Sequence, residues 1–133
     1  MQKNEADALR ELFSKDRFAA MCGIKIDEIE DGLTRCSMEI TDDHKNAMGR
    51  PMGGAIFTLA DFTCGLLSNA GGKPTVSLES HIAFLGVAKG TKLIAEAKTV
   101  KEGHATSFYE VMVTDELGNK VAFMTGSGFI LEK

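Results

Sequence analysis

Two runs near the start of the chain, Ile24 to Glu30 and Leu33 to Ile40, alternate between apolar and polar side chains. A period of two is that of a strand with one covered face. Asp31-Gly32 between the runs supplies the two-residue turn of a hairpin. In the second run Cys36, Met38 and Ile40 alternate with Arg35, Ser37 and Glu39, which predicts one buried and one wet face. Upstream, Leu9, Leu12 and Phe13 share one face of a single predicted helix. Asn4 is placed to cap it, Glu5 and Asp7 stand in the first turn where acids are favoured, and Gly23 after Met21-Cys22 is its natural stop.

Residues Thr41 to Pro51 are polar and punctuated by Gly and Pro, which predicts a loop long enough to be functional. From Gly53-Gly54 to Leu67 apolar residues lie nearly all round a helical wheel, closing at Gly71-Gly72. That distribution predicts a helix buried on most sides. After Pro74 the period returns to two, over Thr75 to Leu85, Lys92 to Val100, Ala105 to Thr114 and Lys120 to Leu131. The separating segments, Gly86–Gly90, Glu102-Gly103-His104 and Asp115–Asn119, all carry turn chemistry. With no repeat and no linker, residues 1–133 read as one α+β domain, an antiparallel sheet wrapped around one central helix.

Composition narrows the function classes. A net charge of −4 does not provide the clustered cations that a polyanion demands, so no nucleic acid is expected as partner. No run approaches the length of a membrane helix, and the polar start Met1-Gln2-Lys3-Asn4-Glu5 does not resemble a signal peptide. Cys22, Cys36 and Cys64 are odd in number and lack Cys-x-x-Cys spacing, as expected of reduced thiols. A cytoplasmic location is the resulting expectation. His44, His81 and His104 are scattered and make no metal site.

Chemistry concentrates between His44 and Asp61. A Gly-Gly pair opening a buried helix presents free N–H groups at the positive end of the helix dipole, where they polarise a carbonyl or hold an oxyanion. Taken alone, Gly53-Gly54 does no more than turn the chain. Asp61 adds weight, because it falls among Ile56, Phe57, Leu59, Phe62 and Leu66, where partial burial raises a carboxyl pKa toward that of a general base or a nucleophile. The bland alternative is an aspartate on the one wet stripe of the helix. Asp61 lies two turns beyond Gly54, about 10 Å along the axis at the standard helical rise. Reacting atoms must approach to roughly 3–3.5 Å. The spacing therefore favours a composite site in which two antiparallel copies bring one helix start against the other helix's Asp61.

The run from His44 and Asn46 through Gly53-Gly54 to Asp61 resembles the signature of hotdog-fold thioesterases of the phenylacetate-degradation (PaaI-like) type, and the resemblance spans nearly the whole chain. It implies an acyl-CoA thioesterase working as a homodimer or dimer of dimers, with its site at the interface. Coenzyme A would enter as part of the substrate, and no separate cofactor is implied. By likeness Asp61 is the base or nucleophile and the Gly53 N–H polarises the thioester carbonyl. Asn46 places the water or the carboxylate, while Gly54, Met52, Ser77 and His44 contribute to substrate binding. His44 also suits a structural role in the loop or the dimer contact.

Met52 departs from the pattern, standing where the family has histidine before the glycine pair. It leaves a second reading open, that of a non-catalytic acyl-CoA-binding hotdog protein. Dehydratase chemistry loses its basis, because no histidine occurs between Lys45 and Ser80. Gly86-Val87-Ala88, where relatives often have proline, is expected to bear on a turn and not on chemistry. Cys64 reads as a packed core thiol.

Overall fold

The computed structural model describes residues 1–131. Its elements are helices α1 (Lys3–Phe13), α2 (Arg17–Cys22) and α3 (Gly53–Ser68), and strands β1 (Ile24–Glu30), β2 (Leu33–Glu39), β3 (Thr75–Phe84), β4 (Lys92–Glu102), β5 (Thr106–Asp115) and β6 (Lys120–Ile130). All six strands form one antiparallel sheet in the order β1-β2-β4-β5-β6-β3. The α3 helix crosses one face, and this is the hotdog arrangement expected.

The N-terminal helix differs from expectation. It is two helices, because Asp16 caps a second one by accepting from the Ala19 N–H (3.0 Å). An aspartate that satisfies an orphan amide competes with continuation of the preceding helix. The first cap is Gln2 rather than Asn4, while Gly23 ends α2 at φ 81°. The 41–51 loop contains a short 3₁₀ turn, Asp42–His44.

The sheet presents Leu93, Ala95, Ala97, Val111, Val113, Ala122 and Met124 to α3, all with no exposed surface. The helix answers with Leu59, Ala60, Thr63 and Leu66, equally buried. Small residues on β4 let the helix approach, and branched ones on β5 fill the space between. One polar link crosses the core: the Thr34 hydroxyl on β2 donates to the Thr63 carbonyl at 2.8 Å. At the far end Asn69 ties the helix to the sheet, donating to the Gly65 carbonyl (2.8 Å) and accepting from the Thr75 N–H (3.0 Å). On β2 the predicted wet face is incomplete, since Ser37 is 2% exposed between Lys25 and Ile94 of the neighbouring strands. A short hydroxyl side chain is shaded by its longer neighbours.

The two sheet edges are unlike. Strand β1 is charged and irregular, with Lys25, Asp27, Glu28 and Glu30 and a register shift between Ile26 and Glu28. Its Glu28 pairs with Arg35, which also holds Glu96 at 2.7 Å. Such devices protect an edge from further pairing. Strand β3 is longer, and every residue from Val76 to His81 is exposed.

Leu66→Ala is expected to cost about 2–5 kcal/mol, because the closely packed helix–sheet layer has little room to collapse. Urea unfolding of the two proteins checks this, and a loss under 1 kcal/mol, on the order of that for an exposed site, would contradict the packing described.

Candidate active site at the start of the central helix

The loop before α3 is shaped by two of its own side chains. His44 is buried, with Nδ1 accepting from the Thr41 N–H (3.0 Å) and Nε2 donating to the Cys22 carbonyl (2.8 Å). It thereby staples the loop to the end of α2, and both ring nitrogens are occupied. The Asn46 Oδ1 accepts from the N–H groups of Met48 (2.9 Å) and Arg50 (3.2 Å), closing a tight turn in which Gly49 adopts φ 77°. Its Nδ2 has no partner among the described residues. The loop returns on itself through a Lys45–Pro51 bridge and the Met52 N–H to His44 carbonyl bond (2.8 Å).

Met52 is the N-cap residue of α3 and contributes no side-chain cap. Its carbonyl accepts from Ala55 (2.9 Å) and Ile56 (3.1 Å), whereas the N–H groups of Gly53 and Gly54 have no acceptor among the described residues. These two amides are the orphan donors of a sixteen-residue helix, at the positive end of its dipole. Gly53 borders a cleft of about 310 Å³ lined also by Asn46, Arg50, Pro51, Ile56, Phe84 and the segment Gly86-Val87-Ala88. The Phe84 ring lies over Gly53 so closely that an added Cβ would stand 3.1 Å from Cζ. Glycine therefore serves the close approach of the Phe84 ring, which a side chain would push aside.

Asp61 is not among the residues lining that cleft. It stands on an open stripe of α3, along which Gly54 and Asp61 are exposed and Thr58, Gly65 and Ser68 half-buried. The expected burial on most sides holds, and Asp61 lies on the side left open, as the wet-stripe alternative has it. The Asp61 carboxyl accepts no hydrogen bond among the described residues. Even so, its pKa is raised above the usual carboxylate value, first by desolvation from the surrounding apolar wall and then by the Asp16 carboxylate. A group exposed in area yet set among apolar atoms is partly desolvated without being enclosed.

Ser77 pairs with Gly128, in one row with Ser107 on the helix-facing side of the sheet. The register brings Ser80, not Ser77, beside this part of the helix: a Cβ on Gly126 would stand 3.4 Å from the Cys64 Sγ and 3.6 Å from the Ser80 Oγ. Burial pushes the Cys64 thiol up to about 12, so it is no nucleophile at neutral pH. Within one chain, then, Asn46, Gly53 and the Met52 cap come together, His44 supports them from behind, and Asp61 and Ser77 lie elsewhere on the same side of the sheet. Phe84 and Gly86–Ala88 were missed as wall residues. Their only signal was apolar character continuing past the end of a strand, and Gly86-Val87-Ala88 bears on the cleft as well as on a turn. Among the described residues no cluster of His, Cys, Asp and Glu is built to hold a metal ion, and no helix is long and apolar enough to cross a membrane.

Comparison with known proteins places the chain in a family. A profile of the thioesterase superfamily matches residues 48–122, more than half of the chain. Human acyl-coenzyme A thioesterase 13 is 32% identical over 93 residues, which are 68% of this chain and 66% of that protein. The PaaI protein of the E. coli phenylacetic acid degradation operon superposes with a TM-score of 0.89 at 25% identity, over 97% of this chain and 92% of its own. A thioesterase protein of Streptococcus pneumoniae, solved with coenzyme A, gives a TM-score of 0.85 at 27% identity over 92% of this chain and 97% of its own. With a free-amide helix start, a matching fold and a matching profile, the chain belongs to the thioesterase superfamily, as a thioester hydrolase of the PaaI-like hotdog type.

Proposed function

We propose that the protein hydrolyses acyl-CoA thioesters at sites shared between two subunits. The observation that carries this is that Gly54 and Asp61, the two exposed residues of a helix otherwise buried or half-buried, lie on one stripe of it, with the Gly53 amide at the same helix start. A helix rises about 1.5 Å per residue, so those groups cannot act together on one carbonyl within one chain. A second copy related by a two-fold axis brings its own stripe antiparallel to the first. Each helix start then meets the other chain's Asp61. The long exposed β3 edge beside this stripe supports such pairing, since unpaired backbone donors and acceptors on an edge invite a partner strand.

In the assembled site the thioester carbonyl accepts from the Gly53 N–H, with Gly54 next to it. Charge developing on oxygen in the tetrahedral intermediate is stabilised by these fixed donors, without reorganisation. The partner subunit's Asp61, as carboxylate, either takes a proton from water attacking the acyl carbon and passes it to the departing sulfur as the C–S bond breaks, or attacks that carbon itself. Direct attack expels coenzyme A thiolate and leaves an anhydride that water then cleaves to acid and free Asp61. Asn46 lines the same cleft, and its unpartnered Nδ2 is suited to orient the water or the carboxylate. Further desolvation at the interface strengthens the basicity that Asp61 already has in the single chain. Met52 adds no donor beside Gly53, and its flexible apolar side chain suits the acyl passage instead. Coenzyme A belongs to the substrate, and no additional cofactor is called for.

Replacing Asp61 with Asn is expected to lower kcat by about 10²–10⁴-fold, the usual contribution of a general base. Thiol release from short, medium and aryl acyl-CoAs measures this, and an Asp61→Asn protein as active as its parent would remove the assignment. The same substitution has an opposite effect on stability. A folded-state pKa raised above the unfolded value means that the native chain holds the extra proton, so stability falls as pH rises through that window. Asp61→Asn is therefore expected to melt higher than the parent at pH 7 and not at pH 4. By the same shift, the parent's activity should fall on acidification with an apparent pKa above that of an ordinary aspartate.

Shared sites predict complementation. Asp61→Asn and Asn46→Ala proteins, each impaired alone, should regain activity when unfolded and refolded together, since one site in each mixed dimer is intact. A mixture no more active than its components would place both residues in one subunit's site. Met52→His, which restores a ring donor beside Gly53, is expected to raise kcat. A parent that binds acyl-CoA without turnover, and gains turnover on Met52→His, would instead identify a binding protein.

A further inference from the structure

The segment 85–91 joining β3 to β4 has no regular structure, yet its middle residues, Gly86, Val87 and Ala88, wall the Gly53 cleft. It is held at both ends. At the first, the N–H groups of Leu85 (2.8 Å) and Gly86 (3.3 Å) donate to the Val121 carbonyl. A Cβ on Gly86 would stand 3.1 Å from the Lys120 carbonyl oxygen, so only glycine lets the segment lie this close to β6.

At the second end the holding group is a carboxylate. Asp115, at the end of β5, is 2% exposed. Its Oδ2 accepts from the Lys89 N–H (2.8 Å), the Gly90 N–H (3.1 Å) and the Asn119 Nδ2 (2.9 Å). Its Oδ1 accepts from the N–H groups of Leu117 (3.0 Å) and Asn119 (2.9 Å). Five donors converge on one side chain, and the Asn119 amide and the backbone amides hold its carboxyl well below the usual carboxylate range. Glu116 extends the clamp by accepting from the Thr91 N–H (2.8 Å), the Thr91 hydroxyl (3.1 Å) and the Lys92 N–H (3.1 Å). Only a carboxylate has enough acceptor sites for this set, and its charge strengthens each bond.

That arrangement exceeds what a β5–β6 turn requires. The Leu117 and Asn119 bonds alone would close the turn, whereas the Lys89, Gly90, Thr91 and Lys92 bonds reach across to a different connection. We propose that Asp115, assisted by Glu116, is a positioning residue for thioester binding: it fixes Gly86-Val87-Ala88 at the distance from Gly53 that the bound thioester needs. It acts through the backbone of Lys89 and Gly90 and does not touch the substrate. The proposal rests on Gly53 being the carbonyl-binding residue. It also accounts for the absence of a side chain at residue 90, where a Cβ would collide with the Glu116 carboxylate.

Steady-state kinetics of Asp115→Asn and Gly90→Ala with one acyl-CoA test this, alongside thermal melting and equilibrium binding of coenzyme A. Asp115→Asn offers one acceptor oxygen in place of two and orphans donors on one side. Gly90→Ala keeps the Asp115 carboxylate and drives the Glu116 carboxylate away from its place in the clamp. Both variants are expected to raise KM about tenfold while kcat stays within about threefold, as removal of binding-site positioning does. Gly90→Ala should do so with little change in melting temperature, which separates positioning from stability if Asp115→Asn folds poorly. An unchanged KM in a folded Asp115→Asn protein, or in Gly90→Ala where Asp115→Asn does not fold, with the parent active, overturns the positioning role alone. A parent that neither turns over nor binds acyl-CoA overturns the carbonyl site at Gly53 and this role together.

Discussion

The structure depends on burying α3 against the sheet while leaving its first two amides unsatisfied. Leu59, Ala60, Thr63 and Leu66 have no exposed surface and sit on the small and branched residues of β4, β5 and β6. That packing fixes the helix axis, and the axis fixes the direction in which Gly53 and Gly54 point. Buried backbone donors without partners are costly and therefore rare. Here the cost is limited because the cleft keeps them open to solvent or to a ligand. A donor pair held rigidly by a core is already organised for an oxyanion before any substrate arrives.

The supports around the cleft are polar side chains that spend their hydrogen bonds on backbone. His44 holds the entering loop to α2, Asn46 folds its tip, and Asn69 anchors the far end of the helix. Asp115 and Glu116 do the same for the opposite wall. Irregular segments lack ladders of their own, so acceptors must come from side chains, and a carboxylate supplies the most per residue. Both walls of the cleft are built in this way. Regular structure lines it at its floor, the start of α3, and at Phe84, the last residue of β3.

The acid lies apart from the donors. A single straight helix cannot bring residues two turns apart to one carbonyl, so the proposed mechanism makes association a chemical need and not only a gain in stability. The two sheet edges agree with that division, one closed off by charge and irregularity and the other left long and open.

Much of this was legible in sequence. Period-two alternation gave the six strands to within a residue or two at most ends. The apolar run after Gly53-Gly54 gave the central helix, because both are local consequences of covering one face. The glycine pair and Asp61 stood out because their chemistry conflicts with apolar surroundings, and a conflict of that kind is visible residue by residue. The break at Asp16 was not visible, since aspartate suits a helix surface nearly as well as a cap, and only the docking of α2 chose between them. Nor did pattern reveal that Asp61 would lie on an open stripe, which depends on how far the sheet curls around the helix. The clamp of Asp115 on Lys89 and Gly90 joins residues some twenty-five positions apart, and the Phe84 ring reaches Gly53 across a whole strand–helix crossing. Sequence by itself determined which segments would be helix or strand and which residues carried reactive groups, because those follow from local periodicity and side-chain chemistry. Tertiary structure alone decided which of those groups meet, because meeting depends on strand register and on where the helix comes to rest.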